Sequence, residues 1–457
     1  MATLVLISVV LIPSAATAAP SSSSVRLDRS FGRTGWIKTR QGTGGAEGRV
    51  EVSVAPSGEP VVADILAGQI FRLRADGGAQ DRFGHRGYRS VGASVPDRKH
   101  HYRIFAPRSM TVDRAGRVLI FGRQADLARA VEVPLSPQPV PSSVAEVLRL
   151  DRSGRPDPTF GGGKGYVLDD LGLQSELSSE VPLVGALAGS VDSRGRPIFL
   201  AGVASQEGPC TNRTRVEEVP KGVVRLTSAG ALDDSFGTGG ISAIDGDTDF
   251  PQLQIAGENQ LAVGAGPAFD SQGRCRGGEL IYRLGKNGER SSQFGSVGAL
   301  SLHRMQMAAL EPSGAVVASR LRSHVLLLSR FSPAGFRDAA FGRDGYARVK
   351  LPRLAGLKIS SVLVQKGGDI VVVGFLEGGA SSKEPASFLV ARLSHNGKMD
   401  PNVGVDGWVR TDFPRALELS SAQGKFDPQG RLVVAGTAST SKTEDAGFLV
   451  ARYALSE

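Results

Sequence analysis

The chain has 457 residues, with 54 Lys and Arg against 45 Asp and Glu. Its formal charge of +9 and pI near 9.7 point to acidic partners such as wall polymers, anionic polysaccharide or phospholipid headgroups. An aromatic share of 6% is low for a carbohydrate-binding groove, and outside one short basic stretch no basic–aromatic interleaving suggests nucleic acid.

The first element in chain order is an apolar run at residues 3–12, too short to span a bilayer, followed by the small-residue cleavage site Ala16-Thr17-Ala18. Residues 1–18 read as a secretory signal peptide, although no Lys or Arg precedes the apolar run, which would put the true start upstream of Met1. No Cys follows that run and no apolar tail closes the chain. The expected product is an exported chain, released or held at the envelope by contacts, with no transmembrane segment.

Residues 19–457 are organised by repeats. Leu27-Asp28-Arg29-Ser30-Phe31-Gly32 recurs as Leu232-Asp233-Asp234-Ser235-Phe236-Gly237, with variants at Phe83-Gly84, Phe160-Gly161, Phe294-Gly295 and Phe341-Gly342 and a degenerate copy at Val403-Gly404. A second element is a Gly turn such as Val112-Asp113-Arg114-Ala115-Gly116 or Val191-Asp192-Ser193-Arg194-Gly195, leading into a short apolar run such as Val118–Gly122 or Ile370–Gly374. Runs of this length and composition, bounded by turn residues, predict strands. The third element is Arg followed by a large apolar residue, at Arg72, Arg149, Arg225, Arg283, Arg330, Arg392 and Arg452. Length alone suggests two or three domains, but in-phase repeats at this spacing argue for one ring or array.

Four strands per unit follow: A before the Gly turn, B after it, C carrying the Arg, and D after Phe-Gly. The chain starts with a Phe-Gly element lacking its upstream strands and ends on Phe448–Tyr453, a strand C lacking its continuation. Joining the ends completes one unit and removes exposed sheet edges. The prediction is all-β: a seven-bladed β-propeller of four-stranded antiparallel blades, closed by an N-terminal strand D joining C-terminal strands A–C. A β-solenoid is the alternative, and it gives no reason for complementary ends.

Phe388-Leu389-Val390-Ala391-Arg392-Leu393-Ser394-His395-Asn396-Gly397, and the stretch from Val224-Arg225-Leu226 through Gly240, resemble the delta-60 repeat family of bacterial extracellular proteins. The resemblance spans the mature chain, with long insertions in units two and three and Val403 in place of the usual Phe. It implies a propeller-like fold and no activity that transfers to particular residues.

The A–B and C–D connections are short. The long insertions, at 92–107, 124–144, 171–185, 203–221, 267–279 and 376–387, all fall in B–C or D–A connections and so share one rim. Recognition residues concentrate on loops held by a rigid scaffold, and neutral length drift is the plainer reading. One insertion holds Arg98-Lys99-His100-His101-Tyr102-Arg103, an anion contact or simply a solvated loop. Cys210 and Cys275 are the only cysteines. They fall in the B–C loops of units three and four, where adjacent blades could join them in a disulfide in an oxidising compartment; two free thiols is the other reading. Asp245, Asp247 and Asp249 resemble half a calcium loop without its terminal Glu, so calcium is the one cofactor to consider against a plain polar turn.

Asp28, Asp157, Asp233, Asp338 and Asp400 each precede the Phe or its substitute by three positions and are placed to close the C–D turn and pair with the strand C Arg. The six histidines are scattered, and no nucleophile elbow, phosphate loop or zinc-protease motif is present. The function expected is a monomeric binding module at the cell envelope, contacting a polymer or surface protein through the B–C and D–A loops. The alternative is a propeller lyase or hydrolase working at the mouth of the central channel.

Overall fold

Strands B and C of blades 6 and 7 are buried on both faces over most of their length, which is why they read as unbroken apolar runs rather than alternating ones. In Ile370–Leu376, Val371, Val373 and Phe375 pack to one side while Ile370, Val372 and Leu376 pack to the other. Sheets covered on both faces by other sheets stack around an axis. In the computed structural model, which describes residues 24–39, 48–91, 95–97, 100–132, 138–173, 175, 177–178, 182–205, 217–244, 252–256, 260–264, 280–296, 298–302, 305–379, 382–414, 416–440 and 446–456, they form a seven-bladed propeller of antiparallel sheets.

Blade 1 runs through Val50–Val54, Pro60–Asp64, Gln69–Arg72 and Tyr88–Ser90, and blade 2 through His100–Val112, Val118–Val131, Val140–Leu150 and Tyr166–Asp169, with Val95–Asp97 added inside. Blade 3 is Val184–Val191, Pro197–Ser205, Glu217–Arg225 and Ile241–Ala243; blade 4 is Gln252–Ala256, Gln260–Gly264, Leu280–Leu284 and Leu300–Ser301. Blade 5 comprises Gln306–Leu310, Val316–Arg322, Val325–Phe331 and Tyr346–Lys350; blade 6 comprises Lys358–Val364, Ile370–Leu376, Ser387–Leu393 and Trp408–Asp412. Blade 7 takes Leu417–Phe426, Leu432–Thr440 and Gly447–Leu455 from the C-terminal side.

Its outer strand comes from the other end, as predicted, but in two pieces. Val25–Leu27 pairs with the end of Gly447–Leu455 (Val25 opposite Leu455) and Trp36–Lys38 with its middle (Trp36 opposite Ala451). The first strands of successive blades touch one another all the way round, which closes the ring. The apolar core is therefore divided into seven slabs, one per seam between blades.

Strand A is the inner edge of each sheet, except where Val95–Asp97 covers the start of His100–Val112 in blade 2, so most of its outward amides have no strand partner. Side chains of the preceding blade supply acceptors: Val52 N–H donates to Gln423 Oε1 at 2.6 Å, Met110 N–H to Glu51 Oε2 at 2.8 Å and Leu310 N–H to Gln254 Oε1 at 2.7 Å. Serines serve likewise, Ser53 for Val112, Ser109 for Gly189 and Ser361 for Gly424. Strand A also carries a bulge in blades 2, 3, 5, 6 and 7, which bends it where it lines the axis.

Three of the insertions expected as loops prove to be strand over much of their length. Residues 100–107, 124–131 and 140–144 continue the sheet of blade 2, and 203–205 with 217–221 continue that of blade 3. The reason is templating: once the Gly turn at Asp113–Gly116 sets the register, the residues of strand B as far as Asp126 find ladder partners on both sides, as Arg123 does with Ala106 and Ala145.

Candidate functional site

Three surfaces can carry function: the raised rim of blades 2 and 3, the central channel, and the opposite rim made by the A–B and C–D turns. At the raised rim, strands A, B and C of blade 2 are 13, 14 and 11 residues long. Strand B alone spans roughly 45 Å at the usual rise per residue, whereas the second strands of the other blades have five to nine residues. The ribbon stands above the ring and is tied to blade 3. Ser143 N–H donates to Pro182 O at 2.8 Å, Ser142 Oγ–H to the same oxygen at 3.2 Å, and Ser143 bridges Leu183. Phe105 and Ala125 are buried on it while Arg129, Ala130 and Glu132 are exposed.

The basic cluster read as a loop is in part on this ribbon. His100, His101, Tyr102 and Arg103 lie in strand A, with Arg103 opposite Asp126, so the placement on a loop is corrected for these four. Arg98 and Lys99 lie outside the described residues, as do Cys210 and Cys275, Asp245, Asp247 and Asp249, and residues 1–18. His85 and His395 sit in exposed or half-buried C–D turns and His324 in the tight B–C turn of blade 5. Among the described residues no three His, Cys, Asp or Glu side chains come together as a metal site would require.

In the channel, Glu51 of blade 1 and Lys425 of blade 7 face one another's charge across a seam. Burial pushes the Glu51 carboxyl above its ordinary range, against the Met110 amide and the Arg49 and Lys425 charges, which pull it down. Burial likewise pushes the Lys425 amine down, with Glu51 opposing. Lys425 is nonetheless exposed to solvent, on the inner strand that lines the axis. Sequence reading passed over both residues. The available signal was that they stand where other units place Ser, Thr or Gln on strand A, as at Ser53, Thr111 and Gln254.

At the opposite rim the three repeats converge on one interaction. Four of the strand C arginines stack on the Phe of their own unit: Arg149 on Phe160 at 4.3 Å, Arg225 on Phe236 at 4.5 Å, Arg283 on Phe294 at 4.5 Å and Arg452 on Phe31 at 4.8 Å. The Nη1–H of a strand C Arg reaches forward to a carbonyl of the next blade, as Arg149 to Ser228 O, Arg330 to His395 O and Arg452 to Ala75 O. The Asp of the motif closes the knot. Asp28, Asp157 and Asp233 accept the amide and hydroxyl of Ser30, Thr159 and Ser235 and pair with Arg452, Arg149 and Arg225, each at 2.8 Å. Burial disfavours the Asp233 anion, but the Ser235 and Arg225 hydrogen bonds outweigh it and hold the carboxyl below its ordinary range; Asp28 and Asp157 behave alike.

Blade 6 breaks this pattern. Arg392 pairs with Asp369 at 2.6 Å, and Asp400, expected as its partner, instead accepts Ser24 Oγ–H at 2.7 Å. Here the following C–D turn is split between the chain's two ends. Elsewhere that turn lays a glycine on the Phe ring, as Gly335 does on Phe294. No such glycine arrives at blade 6, which is the physical reason a smaller Val403 suffices.

No protein-family model and no curated protein sequence matches the chain. Among solved structures it is similar to streptogramin B lyase, at 10% identity over 91% of this chain and 97% of that one, with a TM-score of 0.45. It is also similar to virginiamycin B lyase from Staphylococcus aureus (11%, 91% and 98%, TM-score 0.43) and to the PQQ-bound aldose sugar dehydrogenase of Streptomyces coelicolor (11%, 95% and 100%, TM-score 0.37). These likenesses concern the fold alone.

Proposed function

We propose that this protein is an exported propeller that acts as a binding module at the cell envelope, a divergent member of the delta-60 repeat family, and that it holds its partner with the raised rim of blades 2 and 3. The observation that carries this reading is the unequal height of the two rims. The turn-side rim ends in tight turns, whereas on the other rim the strands of blade 2 run furthest, with 13, 14 and 11 residues against at most ten in blades 3 and 7, and form a ribbon long enough to stand clear of the ring. Residues 1–18 serve as the export signal in this reading, and a Cys210–Cys275 disulfide would brace the same rim. The net positive charge favours an anionic envelope polymer or surface protein.

The test is a pull-down of envelope fractions with residues 19–457, at low and high salt, against a chain in which 124–144 and 203–221 are replaced by two-residue hairpin turns. Retention of a defined partner by the native chain only is the expected result. Equal retention by both removes the ribbon from the mechanism.

The Glu51–Lys425 pair supports the second reading, a lyase or hydrolase acting in the channel. An amine held below its ordinary range should react with an acylating reagent at neutral pH ahead of the surface lysines. Labelling of Lys425 no faster than of the exposed Lys358 removes the basis for that reading.

A further inference from the structure

The turn-side rim contains a cleft at the seam of blades 3 and 4, about 200 Å³ in volume, lined by Ser193, Arg194, Arg196, Arg225, Lys286 and Asn287 together with the Ser235 hydroxyl. Two acids stand at its back, and both are fully committed. Asp192 accepts Arg196 Nε–H at 2.7 Å and the amides of Arg194 and Arg196 at 2.9 Å each. Asp233 accepts Arg225 Nε–H at 2.8 Å and Arg196 Nη1–H at 2.9 Å. Two guanidinium groups therefore balance two carboxylates. Arg194 and Lys286 add two cations on top of that balance, both exposed, and neither forms an ion pair among the described residues. Two further acids flank the cleft: the exposed Asp234, next to the lining Ser235, and Glu289, which accepts the Asn287 backbone N–H at 3.1 Å.

Comparison of seams within the same molecule separates scaffold from site. The seam of blades 7 and 1 has the same Asp–Arg knot, with Arg431 on Asp427 at 2.7 Å and on Asp28 at 3.2 Å. There the counterpart of Arg194 is Gln429, whose Oε1 caps the spare Arg431 Nη2–H at 3.3 Å, and the counterpart of Lys286 is Ala75. At the seam of blades 2 and 3 the two positions are Ala115 and Ser228. The fold needs a cation at neither position. At the blade 3–4 seam Arg194 cannot accept a hydrogen bond, so Arg196 Nη2 is left as a donor at the cleft, beside the Arg194 guanidinium, the Lys286 ammonium, the Ser193 hydroxyl and the Asn287 side-chain carboxamide.

Convergent donors in a concave site lined by four cationic side chains match a tetrahedral oxyanion, for which forked guanidinium donors are the best protein partner. We propose that the cleft between blades 3 and 4 binds a phosphate or sulfate group. This site lies on the rim opposite the raised ribbon and does not depend on how that ribbon works.

The test uses the double variant Arg194→Gln with Lys286→Ala, which copies the residues the chain itself carries at the blade 7–1 seam and so leaves folding undisturbed. A thermal-melt check on the variant confirms that. Native and variant proteins are titrated at constant ionic strength with orthophosphate, sulfate and glycerol 3-phosphate by calorimetry. Saturable binding to the native protein, weakened by roughly tenfold or more in the variant as charge-assisted bonds are lost, is the expected result. Binding of orthophosphate and sulfate but not the ester assigns the site to the free ion; binding of the ester assigns it to a phosphate group carried on a larger molecule. No saturable binding of any of the three by the native protein, or equal affinity in the variant, overturns the proposal.

Discussion

Arg225 illustrates what one repeated residue does: its ring-stacked guanidinium serves Asp233, Ser235 and the Lys286 carbonyl at once. Removing it takes from Asp233 one of its two guanidinium partners, Arg196 remaining, and leaves the Lys286 carbonyl without its donor; a hydrogen bond to a charged group is worth about 1.5–3 kcal/mol. Arg225→Met should lower the unfolding free energy by that order in urea denaturation, while Arg343→Met, on an exposed turn, should leave it unchanged. A glycine gives a second case. Gly335 has φ +83°, and an added Cβ would lie 2.6 Å from the Gly295 nitrogen and 3.0 Å from the Phe294 ring. Gly335→Ala should therefore cost about 2 kcal/mol or more, read as a drop in the same denaturation midpoint. The paired aspartates set the acid limb. Their folded pKa values lie below the ordinary aspartate value of 3.8, so their contribution is complete above that value and is lost as pH falls through the folded pKa.

Among the elements, strand C of blade 2 carries the least comfortable residue. Glu146 faces the seam of blades 1 and 2, is 6% exposed, and its Oε2 has no hydrogen-bond partner. Burial alone pushes its carboxyl up from 4.5 to about 8. The folded chain thus binds a proton here that the unfolded chain has released, and stability from this group declines as pH rises from about 4.5 to 8 and then levels off. Glu146→Gln, which keeps shape and removes the charge, should stabilise the protein by about 2–5 kcal/mol at pH 8.5 and by little at pH 4. Equal gains at both pH values would place the carboxyl in contact with water instead.

The elements also separate what was legible in the sequence from what was not. Strands B and C and their turns were legible because apolar runs covered on both faces leave an unambiguous pattern, and Gly at positive φ marks each turn. The ribbon of blade 2 was not, because a projecting strand such as His100–Val112 carries the polar composition of a loop. The bulges of strand A leave no compositional trace. The Glu51–Lys425 pair and the blade 3–4 cleft were invisible for a different reason: each joins residues of two blades, and both depend on which blades are neighbours.

For the whole molecule, closure is the decisive property. The seam that joins the chain's ends uses the same parts as the others: Arg452 pairs with Asp28 at 2.8 Å and stacks on Phe31, while Arg431 meets Asp28 from the side. Ser456 N–H donates to Ser24 O at 2.9 Å and Ser24 N–H to Asn402 O at 3.0 Å, so the two ends together stand in for a missing turn. Deleting residues 24–38 leaves Gly447–Leu455 as an open edge and uncovers Tyr453, which is fully buried in the complete ring. The truncated chain should lose its monomer peak in size-exclusion chromatography and associate through that edge. A monomer with an unchanged melting temperature would show the two N-terminal strands to be dispensable.

That seam also imposes a timetable. Asp28 and Arg452 are 424 positions apart, and a ribosome adding roughly 5–20 residues per second makes the first about 20–85 s before the second. Throughout that interval Phe31 and Trp36 have no blade to join, and the apolar slab between blades 7 and 1 is absent however well the intervening blades have formed. The ring therefore cannot lock until strand Gly447–Leu455 has been made. Any process that needs an open chain has its opportunity until strand Gly447–Leu455 emerges, and loses it when that strand pairs with the other end.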